Sequence, residues 1–262
     1  MRDITVTPSL HGLTGLMPAK DWQAIGAAAV ARWNGALASC CNVRLTVAAP
    51  QSLWLANEDG VSLIVLRQGL WCHNEMCGHT STFPPNALAM TTVYPVGAKG
   101  AEVREADVEV NGQLLRALDV HSLPTASQLS GAYSTDSSIW VLGPHYIGNP
   151  VSLEAVLMHE LGHVLGLSDA CASDHYMAAT ATVVNCTVEQ HSRLMFPDGR
   201  HLQPTAADLS ELAATYPLSS HSQPLRHAFL GYALCVIAIL VLVVWRVGRP
   251  FASRLPPTSK QR

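Results

Sequence analysis

Charge is scarce in this sequence: Asp, Glu, Lys and Arg make up 13% of its 262 residues. Apolar residues account for 48%, an ordinary share for a folded chain, so wholesale disorder is excluded. A basic footprint for nucleic acid is also missing. Five of the 16 basic residues lie beyond Arg226, which leaves 11 against 19 acidic groups before it, a balance of −8. There is no Gly-x-Ser-x-Gly elbow and no phosphate-binding P-loop, which removes the usual serine-hydrolase and nucleoside-triphosphatase readings. No internal repeat and no second pair of carboxylates placed as an acid–base couple stands out. The opening residues, MRDITVTPSLHGL, hold no apolar run long enough for a secretory signal core.

One long apolar run is present. Ala228 to Trp245 is 18 residues without a charge, roughly 27 Å as a helix and close to a bilayer's hydrocarbon thickness. Tyr232 and Trp245 stand near its ends, and Arg246 and Arg249 follow. This predicts a single-pass membrane helix over 228–245, a basic cytoplasmic tail over 246–262 and an extracytoplasmic main domain. Such a domain calls for a signal, so the stated start is expected to be internal; tail insertion with a cytosolic domain is the alternative. Of the seven cysteines, Cys235 lies in the apolar run. The other six, an even number, fit disulfides in an oxidising compartment, with connectivity open.

About 225 residues precede the run, enough for one sizeable core. Trp22, Ile25, Ala29, Val30, Trp33 and Leu37 recur at helical spacing, predicting a helix over Pro18–Leu37. Strands are expected at Val43–Ala48, Val61–Leu66 and Ala106–Asn111, with a weaker candidate at Ile139–Leu142. Ser152 is a good N-cap for a helix to Gly166, and Thr205 with Asp208 is spaced as a capping box for a helix over Ala206–Tyr216. Residues 218–227 read as a linker.

The most informative segment is His159-Glu-Leu-Gly-His163, followed by Gly166 and Asp169. On a helix the two histidines lie one turn apart on one face and can reach one metal ion. Glu160 is adjacent, placed to take a proton from water. Leu157, Leu161 and Val164 form the apolar side that anchors the helix. Gly166 can adopt the left-handed conformation and turn Asp169 back towards the metal. His175 competes as third ligand, and Glu189 would suit a zinc-peptidase clan whose third ligand is a distant Glu. Cys72-His-Asn-Glu-Met-Cys-Gly-His79 holds a local disulfide or a small structural zinc site.

His-Glu-x-x-His-x-x-Gly-x-x-Asp with Leu194-Met195-Phe196-Pro197 resembles the metzincin zinc peptidases of the matrixin kind. The resemblance covers about residues 20–217; Asp169 stands where the family more often has His. It implies an α+β catalytic domain over 1–217, with a twisted, mostly parallel sheet, an active-site helix and a closing helix. It further implies one catalytic Zn2+ on His159, His163 and Asp169, and Glu160 as general base. Met195 is the supporting Met-turn residue, and Phe196 and Pro197 help to line the pocket. The expected activity is endopeptidase cleavage of a peptide or protein substrate. The rivals are a non-catalytic membrane-bound module of the same fold and a zinc hydrolase of a non-peptide substrate.

Overall fold

The computed structural model describes residues 1–76, 83–95, 103–119, 138–143, 150–171, 186–197 and 200–218. Strand β1 (Arg2–Pro8) leads to helix α1 (Ala19–Leu37), then to β2 (Val43–Val47), β3 (Ser62–Arg67), β4 (Ala89–Pro95) and β5 (Val103–Asn111). These strands form one mixed sheet in the order β2-β1-β3-β5-β4. β1 pairs in parallel with β2 and β3, and β3 with β5, whereas β4 runs antiparallel to β5 at the edge. A second, antiparallel sheet joins β6 (Leu115–Asp119), β7 (Ser138–Leu142) and β8 (Val151–Ser152). Helix α2 (Leu153–Val164), short α3 (Val188–Ser192) and α4 (Ala206–Thr215) complete an α+β unit. The sequence pattern does not announce β1, β4 or β6.

The helix pattern of α1 is satisfied by burial. Trp22, Ile25, Ala29, Val30, Trp33 and Leu37 all enter the core, which continues through Val6, Leu45, Leu66, Val108 and Leu161. Two polar contacts fix the orientation. Trp33 Nε1 donates to the Met158 carbonyl at 2.8 Å, and the Asn34 amide exchanges hydrogen bonds with Leu45 in β2 at 2.8 and 2.9 Å. The helix that carries Met158 and His159 is therefore seated on a tryptophan. At the far end, Asn42 N donates to the Tyr216 carbonyl at 2.8 Å, which pins the end of α4 to the α1–β2 corner.

The other face of β5 carries Glu105, Asp107 and Glu109, all buried. Alternation alone would leave this acidic face in water. Instead, the loop before β3, β3 itself and the turn at Asn74 supply donors. Glu105 accepts from the Asp59 and Gly60 N–H groups, and Asp107 accepts from Leu63 N–H at 2.8 Å. Glu109 receives the guanidinium of fully buried Arg67 and the Asn74 N–H.

Asp107 has one oxygen without a partner, and its pKa is pushed up to about 7. Burial is the largest cause; Leu63 N–H opposes it, and Glu105, Asp59 and Glu109 add repulsion. Its folded pKa lies above the ordinary 3.8, so its favourable contribution is complete below that value and lost as pH rises through about 7. Asp107→Asn should therefore gain stability relative to wild type as pH rises from 5 to 8. Urea melts at both values test this, and a constant difference would show that Asp107 does not titrate in that range.

The membrane expectation is corrected here. No helix among the described residues is long and apolar enough to cross a bilayer. The longest, α1, has 19 residues but carries Lys20, Asp21 and Arg32, and it buries one side against the sheet and α2. A span needs about 20 predominantly apolar residues in a helix. The 228–245 segment lies outside the described residues. This overturns a fold ending in a membrane helix, and with it the single-pass placement with an extracytoplasmic domain and cytoplasmic tail. The chain divides into two units, Met1–Leu218 and Ser219–Arg262, the second lying wholly outside the described residues.

Candidate metal centre

Ser152 opens α2 by accepting the Ala155 N–H on its hydroxyl, as the sequence predicts. The helix ends two residues earlier than expected, at Val164. Gly166 then takes φ +97°, and two hydrogen bonds close the end: Gly166 N–H to the His163 carbonyl and Leu167 N–H to the Gly162 carbonyl, both at 2.9 Å. This is a Schellman closure, which needs the left-handed residue that Gly supplies without strain. It reverses the chain and brings Asp169 opposite the two histidines.

Asp169 Oδ1 lies 3.0 Å from His159 Nε2 and 3.4 Å from His163 Nε2. One ligand atom from each of the three residues falls within 4.8 Å of the others, the one such group among the described residues. Each imidazole is held from behind. His159 Nδ1 meets the Leu194 carbonyl at 3.1 Å, and His163 Nδ1 meets the Leu167 carbonyl at 2.8 Å. Carbonyls only accept, so each Nδ1 carries the proton and each neutral ring turns a bare Nε2 lone pair inward.

Those two nitrogens face Asp169 Oδ1 across 3.0 and 3.4 Å. Acceptors placed this closely can hold a cation between them. Protons can serve in its place. Burial disfavours charge on both rings, but hydrogen bonding to Asp169 and the nearby Glu160 charge outweigh it, raising His159 and bringing His163 to about 9. Burial would likewise raise Asp169, yet the two histidines hold it well below the usual carboxylate range. Two imidazoles and one carboxylate, backed by carbonyls, fit zinc by donor type and by outer support.

The Leu194–Pro197 segment is tied to this group through the Leu194 carbonyl on His159. Met195 is fully buried, and its carbonyl accepts from Ala170 N–H at 2.6 Å, tying the turn that carries Asp169 to the turn that orients His159. Asp208 anchors this arrangement. Its carboxylate accepts from Arg193 Nε, Leu194 N–H and the Thr205 N–H and hydroxyl, so one capping-box residue also grips the supporting turn. Phe196 is buried and packs its ring 4.2 Å from that of His191; Pro197 is half-buried.

Gly162 meets Met195 without a side chain between them. A Cβ there would sit 2.2 Å from Met195 Sδ. Gly162→Ala is expected to destabilise the domain by about 1–2 kcal/mol, because overpacking costs about 1–3 kcal/mol and better helix propensity returns up to about 1. Urea titration measures it; an unchanged midpoint would mean that Met195 can step aside freely.

Glu160 is buried beside His159, and its Oε2 accepts from the Thr91 hydroxyl on β4 at 2.5 Å. Sequence spacing offers no signal for Thr91, nor for the roles of Leu194, Leu167 and Asp208. Of the competing ligands, Glu189 is exposed on α3 and outside the cluster, and His175 lies outside the described residues. From the second Cys/His group, His73 Nδ1 pairs with Glu109 at 2.7 Å, while Cys77 and His79 lie outside the described residues. Among the described residues two close cysteine pairs have both members in view, Cys40–Cys41 and Cys171–Cys186, the latter beginning two residues beyond Asp169. A separate hollow of about 680 Å³, bordered by His11, Ser52, Gln68 and Glu75, contains none of the metal-centre residues.

No protein-family profile matches the chain, and no curated protein sequence matches it.

Proposed function

We propose that the chain is a zinc-dependent endopeptidase of metzincin type, with His159, His163 and Asp169 holding the metal and Glu160 acting as general base. The observation that carries this reading is the close grouping of three ligand atoms, the two imidazoles set from behind by carbonyls, with a buried carboxylate on the residue after His159. Zinc bound there would polarise a carbonyl and acidify water. Glu160 takes a proton from the attacking water and returns it to the amine nitrogen as the C–N bond breaks. The histidines and Asp169 keep their places because carbonyls and the Ala170–Met195 bond restrain them.

A peptide is the favoured substrate because of β4. It is an edge strand, paired to β5 on one side, and it contacts Glu160 through Thr91. An extended peptide can pair with such an edge through its backbone while its scissile bond faces the metal. The test is incubation of the zinc-loaded full chain with a mixed peptide library, with Glu160→Ala as the blank and mass spectrometry of the products. Cuts made by wild type alone support the reading. A folded, zinc-loaded chain that cuts no peptide refutes it in favour of a non-catalytic metal-binding module.

A further inference from the structure

We infer that Thr91 is the positioning residue of Glu160: its hydroxyl holds one carboxylate oxygen and so leaves the other aimed at the reacting water. The inference deepens the peptidase reading and rests on it. Thr91 stands opposite Val108 in the β4–β5 register, so it points to the face of the sheet that α2 covers. There its Oγ1 donates to Glu160 Oε2, across 69 residues of sequence. A hydroxyl donating to a carboxylate is a strong, charge-assisted bond.

The two ends of this contact differ in stiffness. Thr is β-branched, and its χ1 is restricted by the strand backbone, so the hydroxyl is a fixed point. Glu160 has a longer, more flexible side chain that must place an oxygen to within a fraction of an ångström to accept a proton in line. The bond to Thr91 removes that freedom and gives the two oxygens separate tasks. Oε2 is occupied by the hydroxyl, and Oε1 remains for the proton. Because Thr91 sits on the edge strand, the same strand that would pair with a peptide also sets the base. Neither the histidines nor Asp169 touches Thr91 in the hydrogen bonds of the site, so its loss should spare the metal.

Thr91→Val keeps the branched shape and removes only the donor; Thr91→Ser keeps the donor. Two measurements on the zinc-loaded full chain test the inference. The first is the infrared carboxylate band of Glu160, assigned by difference against Glu160→Gln. The second is the separation of kcat from KM on a library peptide. The expected result is a shifted Glu160 band in Thr91→Val, with kcat lowered roughly 10- to 100-fold, the scale of a misplaced catalytic group. KM and zinc content should stay unchanged, and Thr91→Ser should keep both the band and most of kcat. An active wild type with an unshifted band in Thr91→Val, or an equal loss in Thr91→Ser, overturns the inference alone. A shifted band in a chain that cuts no peptide in any form overturns the catalytic role together with the peptidase reading.

Discussion

Glu160→Ala is expected to lower peptide turnover by about 10²- to 10⁴-fold, the usual worth of a positioned general base, while leaving zinc bound. The separation of the two effects follows from the geometry. Glu160 is not among the three converging ligand atoms, and the restraints on those atoms come from Leu194, Leu167 and Met195. Removing its side chain leaves the metal centre supported and deletes the acceptor for the proton. Metal analysis beside peptide assays measures both. Loss of zinc together with activity would instead make Glu160 part of the ligand set.

Asp169→Ala should act in the opposite way, through the metal. On the proposed reading it removes a direct ligand, so zinc affinity should fall by more than the roughly 10- to 100-fold that loss of an outer partner costs. It also removes the only anion among the three ligands, leaving two neutral imidazoles to hold a dication. Asp169→His should recover much of the affinity, since imidazole is an equally good zinc ligand. Competition with a chromophoric chelator gives the affinities. A second readout is thermal: zinc stabilises only the folded chain that binds it, so the rise in Tm on adding zinc should vanish in Asp169→Ala. Unchanged affinity would assign the third ligand elsewhere, with His175 first to be tried.

The residues of the centre were legible because their relations are local. His159 and His163 share a helix face by spacing alone, and Ser152 and Gly166 mark the ends of that helix by their own conformational chemistry. Asp169 follows from the turn that Gly166 permits. Thr205 and Asp208 were likewise readable as a capping box, and both reciprocal bonds form. Asp208's second task, gripping Leu194 and Arg193, was not readable, because it depends on α4 packing beneath the supporting turn. Short strands were the weakest part of the reading. β1 alternates only over Ile4–Thr7 and β4 has little apolar alternation, and their pairing is decided by neighbours distant in sequence.

By itself, then, the sequence determined which side chains can share a metal and where the helix carrying them begins and turns, since those depend on backbone geometry over a few residues. Only the tertiary structure decided what holds these side chains in place. The carbonyls that set the imidazoles come from Leu167 and, 35 residues away, from Leu194; the hydroxyl on Glu160 comes from a strand 69 residues back. The acidic face of β5 was buried by the loop before β3 and by β3 itself, whose N–H groups hydrogen-bond to it. Such contacts depend on segments brought together by burying a common core, and nothing in the local spacing of either partner records them.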